Sequence, residues 1–371
     1  MTALIYWVIP HWKQRRYFMV FSSALFLFTI VPYAIYIGIY FILSIYVWPK
    51  IWKYKSGYIP FWLAVVFSVL PLVLTRHYGP WKSPLVAFGL AFMTVRAIGV
   101  LFDSYRTKQS PQVLSQALYF FFFPTYSAGP VEHLSTFSPE KAPKSFDVQL
   151  FITGSVRVVV GVFKSMYLGD LIIYKFMKSY WTGLVLDPAT DTVVDAWLFM
   201  VLRFIYTYVN FSGYSDIAIG SGNMLGFKIQ ENFNLPFLAT NLQDFWKRWH
   251  ISMGAWVMRY IFFPLASIFR TEIGMISSSI FTFVLLGLWH ESSWNYFVWG
   301  VGHGVGMAVN HVTKTRFGKK TAYKKLLASS SYGFVCVVIT VLYVSFLQTF
   351  ANMPTWQDGV VLTKLLFGIG L

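Results

Sequence analysis

Three histidines carry the chemistry this sequence offers. His290 ends the apolar run 281–290, Phe-Thr-Phe-Val-Leu-Leu-Gly-Leu-Trp-His, and a second apolar run, 294–307, follows almost at once. In that second run His303 is the one side chain that titrates near neutral pH. An ionisable group inside a membrane-spanning stretch is costly and by default marks a substrate or proton path. Imidazole is also suited to moving a proton near neutral pH. A neutral imidazole at His290 could deprotonate a substrate hydroxyl as it attacks a thioester carbonyl. The competing reading is a buried histidine bonded to a backbone carbonyl of a neighbouring helix, and the residues alone leave the two even. His303 sits within Gly-Val-Gly-His-Gly-Val-Gly, 300–306. There Gly300/Gly304 and Gly302/Gly306 have the small-xxx-small spacing that brings helices together, so packing or support of the site is its expected role.

A third histidine lies in a segment unlike the apolar runs around it, 210–264. Turn residues Gly226, Asn232, Asn234 and Pro236 interrupt any continuous helix there. Thr240 to Asp244 can cap a helix start, and the spacing then predicts His250, Gly254 and Val257 on one helix face. Lys247 and Arg248 fall up to a turn earlier, near the expected water interface. A cationic vestibule beside a buried histidine suits a polyanionic donor such as a coenzyme A thioester. Snorkelling of both side chains to lipid headgroups is the blander account. No HExxH or CxxC spacing accompanies His250, His290 and His303, so no metal is expected. No G-x-S-x-G elbow is present, and the lone Cys336 forms no intrachain disulfide.

The elements that must position these residues are apolar. Hydrophobic residues make up 56% of the 371 positions and charged ones only 12%, and the mean hydropathy is +0.56. Soluble domains carry about 25% charged residues. An all-α integral membrane protein follows, read as one polytopic domain over 1–371. The aromatic share of 20% suits interfacial belts of Trp and Tyr. The net charge of +16 is scattered in short clusters between apolar runs, which argues against nucleic acid. Candidate spans are 17–47 (broken near Pro32), 58–74, 85–101, 113–123 and 148–168. They continue with 194–208, 256–268, 275–289, 294–309 and 332–350. These amount to roughly ten, several too short to cross alone. Lys314, Arg316, Lys319, Lys320, Lys324 and Lys325 mark a cytoplasmic loop, with Lys50, Lys53 and Lys55 expected on the same side. Asp187, Asp191 and Asp195 mark an outer one. The apolar stretch 3–10 precedes Lys13, Arg15 and Arg16, the reverse of a cleavable signal.

Several pieces in order resemble the membrane-bound O-acyltransferase family. They are Phe-Phe-Pro-Thr-Tyr-Ser-Ala-Gly-Pro (122–130), Phe-Ser-Gly-Tyr-Ser-Asp (211–216) and Glu-Asn-Phe-Asn (231–234). They continue with Phe-Trp-Lys-Arg-Trp-His-Ile-Ser (245–252), Gly-Leu-Trp-His (287–290) and Trp-Gly-Val-Gly-His-Gly (299–304). The nearest branches are those of alginate O-acetylation and of D-alanine transfer to teichoic acid. The resemblance covers a motif-bearing core at about 120–311. It implies a ring of tilted helices around a thinned centre with a funnel. It further implies that His290 is the essential histidine and His250 the second one on the same tunnel; Lys247, Arg248, Trp249, His303 and Glu291 are further candidates for supporting or donor-binding roles. Glu291 replaces the glycine usual after Trp-His in this branch. A carboxylate there either orients the base and favours its protonated form, or only faces a water-filled vestibule. The stretch after Tyr260-Ile-Phe-Phe-Pro-Leu265 also departs from the alginate pattern toward the D-alanine branch.

The expected function is therefore an O-acyltransferase of the bacterial cytoplasmic (inner) membrane. It moves acetyl from acetyl-CoA, or another acyl thioester, toward an extracytoplasmic polysaccharide, directly or through an acyl-accepting partner protein, with no bound cofactor. D-alanyl transfer from a carrier protein to teichoic acid is the alternative within the class. A proton-coupled transporter or channel is the alternative outside it, and that reading needs acidic partners within the spans, where Asp216 is nearly the only candidate in the centre.

Overall fold

A computed structural model describes residues 2–54, 58–77, 84–126, 129–138, 141, 143–180 and 192–369. Asp187, Asp191, Lys55, Ser127 and Ala128 lie outside the described residues. The chain divides into two compact units, residues 1–162 with 213–231, and residues 163–212 with 232–371.

The first unit contains α1 (Thr2–Val8), α2 (Trp12–Ile30), α3 (Tyr33–Tyr54), α4 (Ile59–His77), α5 (Pro84–Thr107), α6 (Val113–Phe121) and α7 (Val148–Val162). The predicted span 17–47 is two helices separated at Val31 and Pro32, as its proline implies. Buried cations hold the irregular chain between them. Arg96, fully buried on α5, donates to the Tyr119 carbonyl at 3.1 Å, to the Thr125 hydroxyl at 3.0 Å and to the Thr125 carbonyl. Arg16 on α2 donates to the Ser115 hydroxyl at 3.0 Å and the Phe137 carbonyl at 3.1 Å. These arginines clamp carbonyls that no helix satisfies, so part of the positive charge assigned to topology is structural.

The second unit follows with α8 (Lys175–Tyr180), which continues a π-helical stretch over Phe163–Tyr174, and α9 (Val193–Met224). Beyond these lie α10 (Leu242–Arg248), α11 (Ile251–Val257), α12 (Phe263–Ile268), α13 (Glu272–His290), α14 (Trp294–Phe317), α15 (Thr321–Leu327), α16 (Ser330–Ala351) and α17 (Trp356–Leu366). The span expected over 194–208 is part of α9, 32 residues long. Its helix runs through Phe211–Asp216, a stretch expected to differ from the spans. Just before that stretch, the Tyr206 hydroxyl and Asn210 amide each donate to Asp170 at 3.1 Å. The last turns of α9, 213–224, belong to the first unit. There Arg157 of α7 pairs with Asp216 at 2.9 Å and grips Glu231 with both terminal nitrogens.

Among the described residues, five helical stretches are long and apolar enough to cross a membrane: Tyr33–Trp52, Val193–Met224, Ile251–Ile268, Glu272–His290 and Ser330–Ala351. Large apolar side chains such as Phe21, Val159, Ile273 and Phe334 stay exposed on helix surfaces, as lipid-facing positions do.

The alternating glycines of α14 serve two neighbours. A Cβ on Gly300 would meet the Phe283 carbonyl of α13 at 2.6 Å, and one on Gly304 the Ile280 Cα at 2.6 Å. On the opposite face, a Cβ on Gly302 would meet the Leu347 side chain of α16 at 2.6 Å. Backbone cannot yield as a leucine tip can. Gly300→Leu is therefore expected to destabilise the protein by at least about 1–3 kcal/mol, more than Gly302→Ala does. Thermal melts of the two variants in detergent check the order.

Candidate functional site

The site is built on an interruption in the helical backbone. The α10 helix starts at Asn241, whose side chain accepts the Asp244 N–H at 3.0 Å, and so begins within the stretch the capping residues predict. It ends at Arg248, and α11 starts at Ile251. His250 therefore occupies a junction rather than a helix face with Gly254 and Val257, a correction to the expected placement. Its backbone is left-handed, with φ 46° and ψ 51°, a region that a Cβ disfavours. A second segment compensates. Phe233 forms an antiparallel bridge with Trp249. The Asn234 N–H donates to the Arg248 carbonyl at 2.9 Å, and the Ile251 N–H to the Asn232 carbonyl at 3.0 Å. Backbone groups released from the helical ladder are thereby paired again.

Side chains lock the same bend. Arg248 pairs with Asp244 at 2.9 Å and donates to the Asn234 carbonyl at 3.3 Å, so it braces the turn. Lys247 is exposed in the last turn of α10. Trp249 is a core residue, its indole nearly parallel to the rings of Phe204 and Phe245 with centres 5.5 Å from each, and those two rings also touch at 6.3 Å. His250 is 4% exposed. Its Nδ1 lies 3.0 Å from Asn232 Oδ1, and the Ser252 hydroxyl donates to the same oxygen at 2.9 Å. The Phe211 ring meets the imidazole edge-on at 4.8 Å.

His290 is the last residue of α13 and is exposed, whereas a buried position within an apolar run was expected. The helix stops there because Glu291 to Ser293 turn the chain. Ser293 then caps α14 by accepting the Tyr296 N–H at 3.4 Å. The His290 ring stacks on Tyr296 at 5.6 Å and meets Trp299 at 5.7 Å. Glu291 is exposed on extended backbone just past the helix end. His303 is 1% exposed and enclosed by Trp299 at 4.6 Å, Trp246 at 5.1 Å and Phe283 at 5.8 Å. Trp299 thus touches both His290 and His303. Among the described residues no cluster of three or more His, Cys, Asp or Glu could hold a metal ion.

One polar residue at the site escaped the sequence reading. Asn232 reads in the sequence as a turn residue and part of a motif, yet it is fully buried against His250. A buried asparagine has to be bonded at every polar atom it can. No local pattern marks that role, because its partner His250 lies 18 positions further along the chain.

A sequence profile of the MBOAT, membrane-bound O-acyltransferase family matches residues 16–353, which include every site residue above. A protein named probable alginate O-acetylase from Azotobacter vinelandii is 31% identical over 261 residues, covering 69% of this chain and 49% of that protein. A peptidoglycan O-acetyltransferase of Helicobacter pylori is 28% identical over 280 residues, 66% of this chain and 52% of its own. A teichoic acid D-alanyltransferase of Bacillus subtilis is 28% identical over 319 residues, 79% of this chain and 78% of its own. The chain spans about half the length of the alginate O-acetylase relatives it matches.

The bend predicts a separation of roles along 247–249. Trp249→Ala, which empties the stacked core, should cost about 3–5 kcal/mol. Lys247→Ala, at an exposed position, should leave the melting temperature within error of the parent. Thermal unfolding of both purified variants checks this.

Proposed function

The chain belongs to the membrane-bound O-acyltransferase family, and we propose that it transfers an acyl group from a thioester donor to a hydroxyl acceptor at His290. The observation that carries this reading is an exposed imidazole at the end of α13, seated on Tyr296 and Trp299, in the same unit as a buried imidazole fixed at the turn between α10 and α11. A base that must meet substrate has to be reachable, and His290 is. A group that supports it has to be held, and His250 is.

In this reading His290 takes the proton of the acceptor hydroxyl as its oxygen attacks the thioester carbonyl. The new C–O ester bond forms, the C–S bond breaks, and the proton passes to the leaving thiolate. His250 supports the same path. The donor is acetyl-CoA on the cytoplasmic side, and Lys247 is the accessible cation for its phosphates; Arg248 is committed to Asp244 and Asn234. The acceptor is an extracytoplasmic polysaccharide, reached directly or through an acyl-accepting partner protein, and the setting is the bacterial cytoplasmic membrane. The names of the alginate and peptidoglycan relatives support acetyl as the group moved.

D-alanyl transfer to teichoic acid is a second reading, favoured by the Bacillus subtilis relative, which is matched over 78% of its length. A proton-coupled transporter is disfavoured because Asp216, the acidic side chain it needs, is held by Arg157.

Replacement of His290 by Ala should lower polymer-linked acyl ester in cells by about 10²–10⁴-fold at equal membrane amount. Mass analysis of polymer from the parent strain distinguishes acetyl from D-alanyl. Parental acylation by a well-expressed His290→Ala protein would remove the base assignment. His303→Ala, a packing change, should lower the yield of folded protein more than the rate per folded molecule.

A further inference from the structure

The orientation of the Asn232 amide follows from one bond. The Ser252 backbone N–H points at Asn232 Oδ1 at 3.4 Å, and a backbone N–H can only donate. Flipping the amide would set an NH₂ group against that N–H, so the oxygen belongs where it is. The same oxygen lies 3.0 Å from His250 Nδ1, at a residue buried as deeply as any in the chain. An amide oxygen has no proton to give. The proton between them is therefore on the imidazole, at Nδ1. A neutral imidazole carries one N–H, which leaves Nε2 as its lone-pair nitrogen.

The backbone reinforces the arrangement. The Asn232 carbonyl takes the Ile251 N–H at 3.0 Å, so Asn232 holds residues 250–252 through both main chain and side chain. The left-handed conformation of His250 and the edge contact from Phe211 fix the plane of the ring.

We propose that Asn232 is a positioning residue that sets His250 in the Nδ1–H tautomer, so that Nε2 is the nitrogen this imidazole presents for proton transfer. The inference deepens the acyl-transfer reading and rests on it for its consequence, but the tautomer itself can be observed without turnover. A wrong tautomer presents an N–H where a lone pair is needed, and the ring then cannot accept a proton at that atom.

The test uses the full chain, labelled with ¹⁵N-histidine and reconstituted in lipid, with His250 assigned by difference from His250→Gln. The parent should show a protonated Nδ1 and an unprotonated Nε2. Asn232→Leu, which keeps the volume and removes the acceptor, should lose that signature. Its kcat for acyl transfer should fall about 100-fold, with the KM for acetyl-CoA nearly unchanged. Asn232→Asp keeps an acceptor oxygen and should restore both the Nδ1 proton and about 10-fold of the lost rate. Ser252→Ala, which removes a neighbour of the same oxygen, should leave the tautomer in place. A parent protonated at Nε2 overturns the proposal, as does Asn232→Leu with the parental tautomer. So does an equal loss of rate in well-folded Asn232→Leu and Asn232→Asp. A parent that shows the Nδ1 signature but transfers no acyl group would instead overturn the acyl-transfer reading and uphold the tautomer.

Discussion

The turn that carries His250 is governed by the need to pair backbone N–H and C=O groups where water is scarce. In an apolar surrounding an unpaired backbone group costs several kcal/mol. A helix meets that need by itself, but a helix cannot present a histidine at a sharp turn. The break between α10 and α11 is possible because residues 232–234 run alongside it and supply the missing partners. The left-handed His250 follows from the same solution. Its strain is tolerated because bonds on both sides over-determine the local geometry.

Close packing then carries that geometry across the second unit. Glycines on both faces of α14 let it approach α13 and α16 closely. That approach brings Trp299 against His290 at the end of α13 and His303 against Phe283 within it. Large rings fill the remaining space, with Trp249, Phe204 and Phe245 clustered behind the turn. His250 is thus held by ring contact on one side and by a hydrogen bond on the other, whereas His303 is held by the rings around it. Charge follows the same logic in the first unit, where buried Arg16 and Arg96 donate to backbone carbonyls and Arg157 pairs with Asp216 and Glu231. A guanidinium offers several donors in a fixed plane, so one side chain can close several gaps at once.

Much of this was legible in the chain. Apolar runs at helical length dictated an all-α membrane fold. Pro32 marked the boundary between α2 and α3, and the glycine spacing in 300–306 marked a close helix contact. The histidines stood out because ionisable groups are rare in such runs. Less legible was the environment of each one. His290 reads as buried because the sequence on both sides is apolar, yet it lies exposed at a helix end. Apolar neighbours in sequence do not define neighbours in space when the chain turns at Glu291.

The sequence by itself determined the class of the protein, most helix positions and the residue types able to move a proton, since hydrophobic periodicity and side-chain chemistry are local properties. Tertiary structure alone decided that His250 sits at a break rather than on a helix, that Arg248 is bound to Asp244 and Asn234, and that Asn232 faces His250. Those outcomes rest on bonds between residues up to 20 positions apart. No local pattern encodes which distant carbonyl or amide will be present when a helix ends.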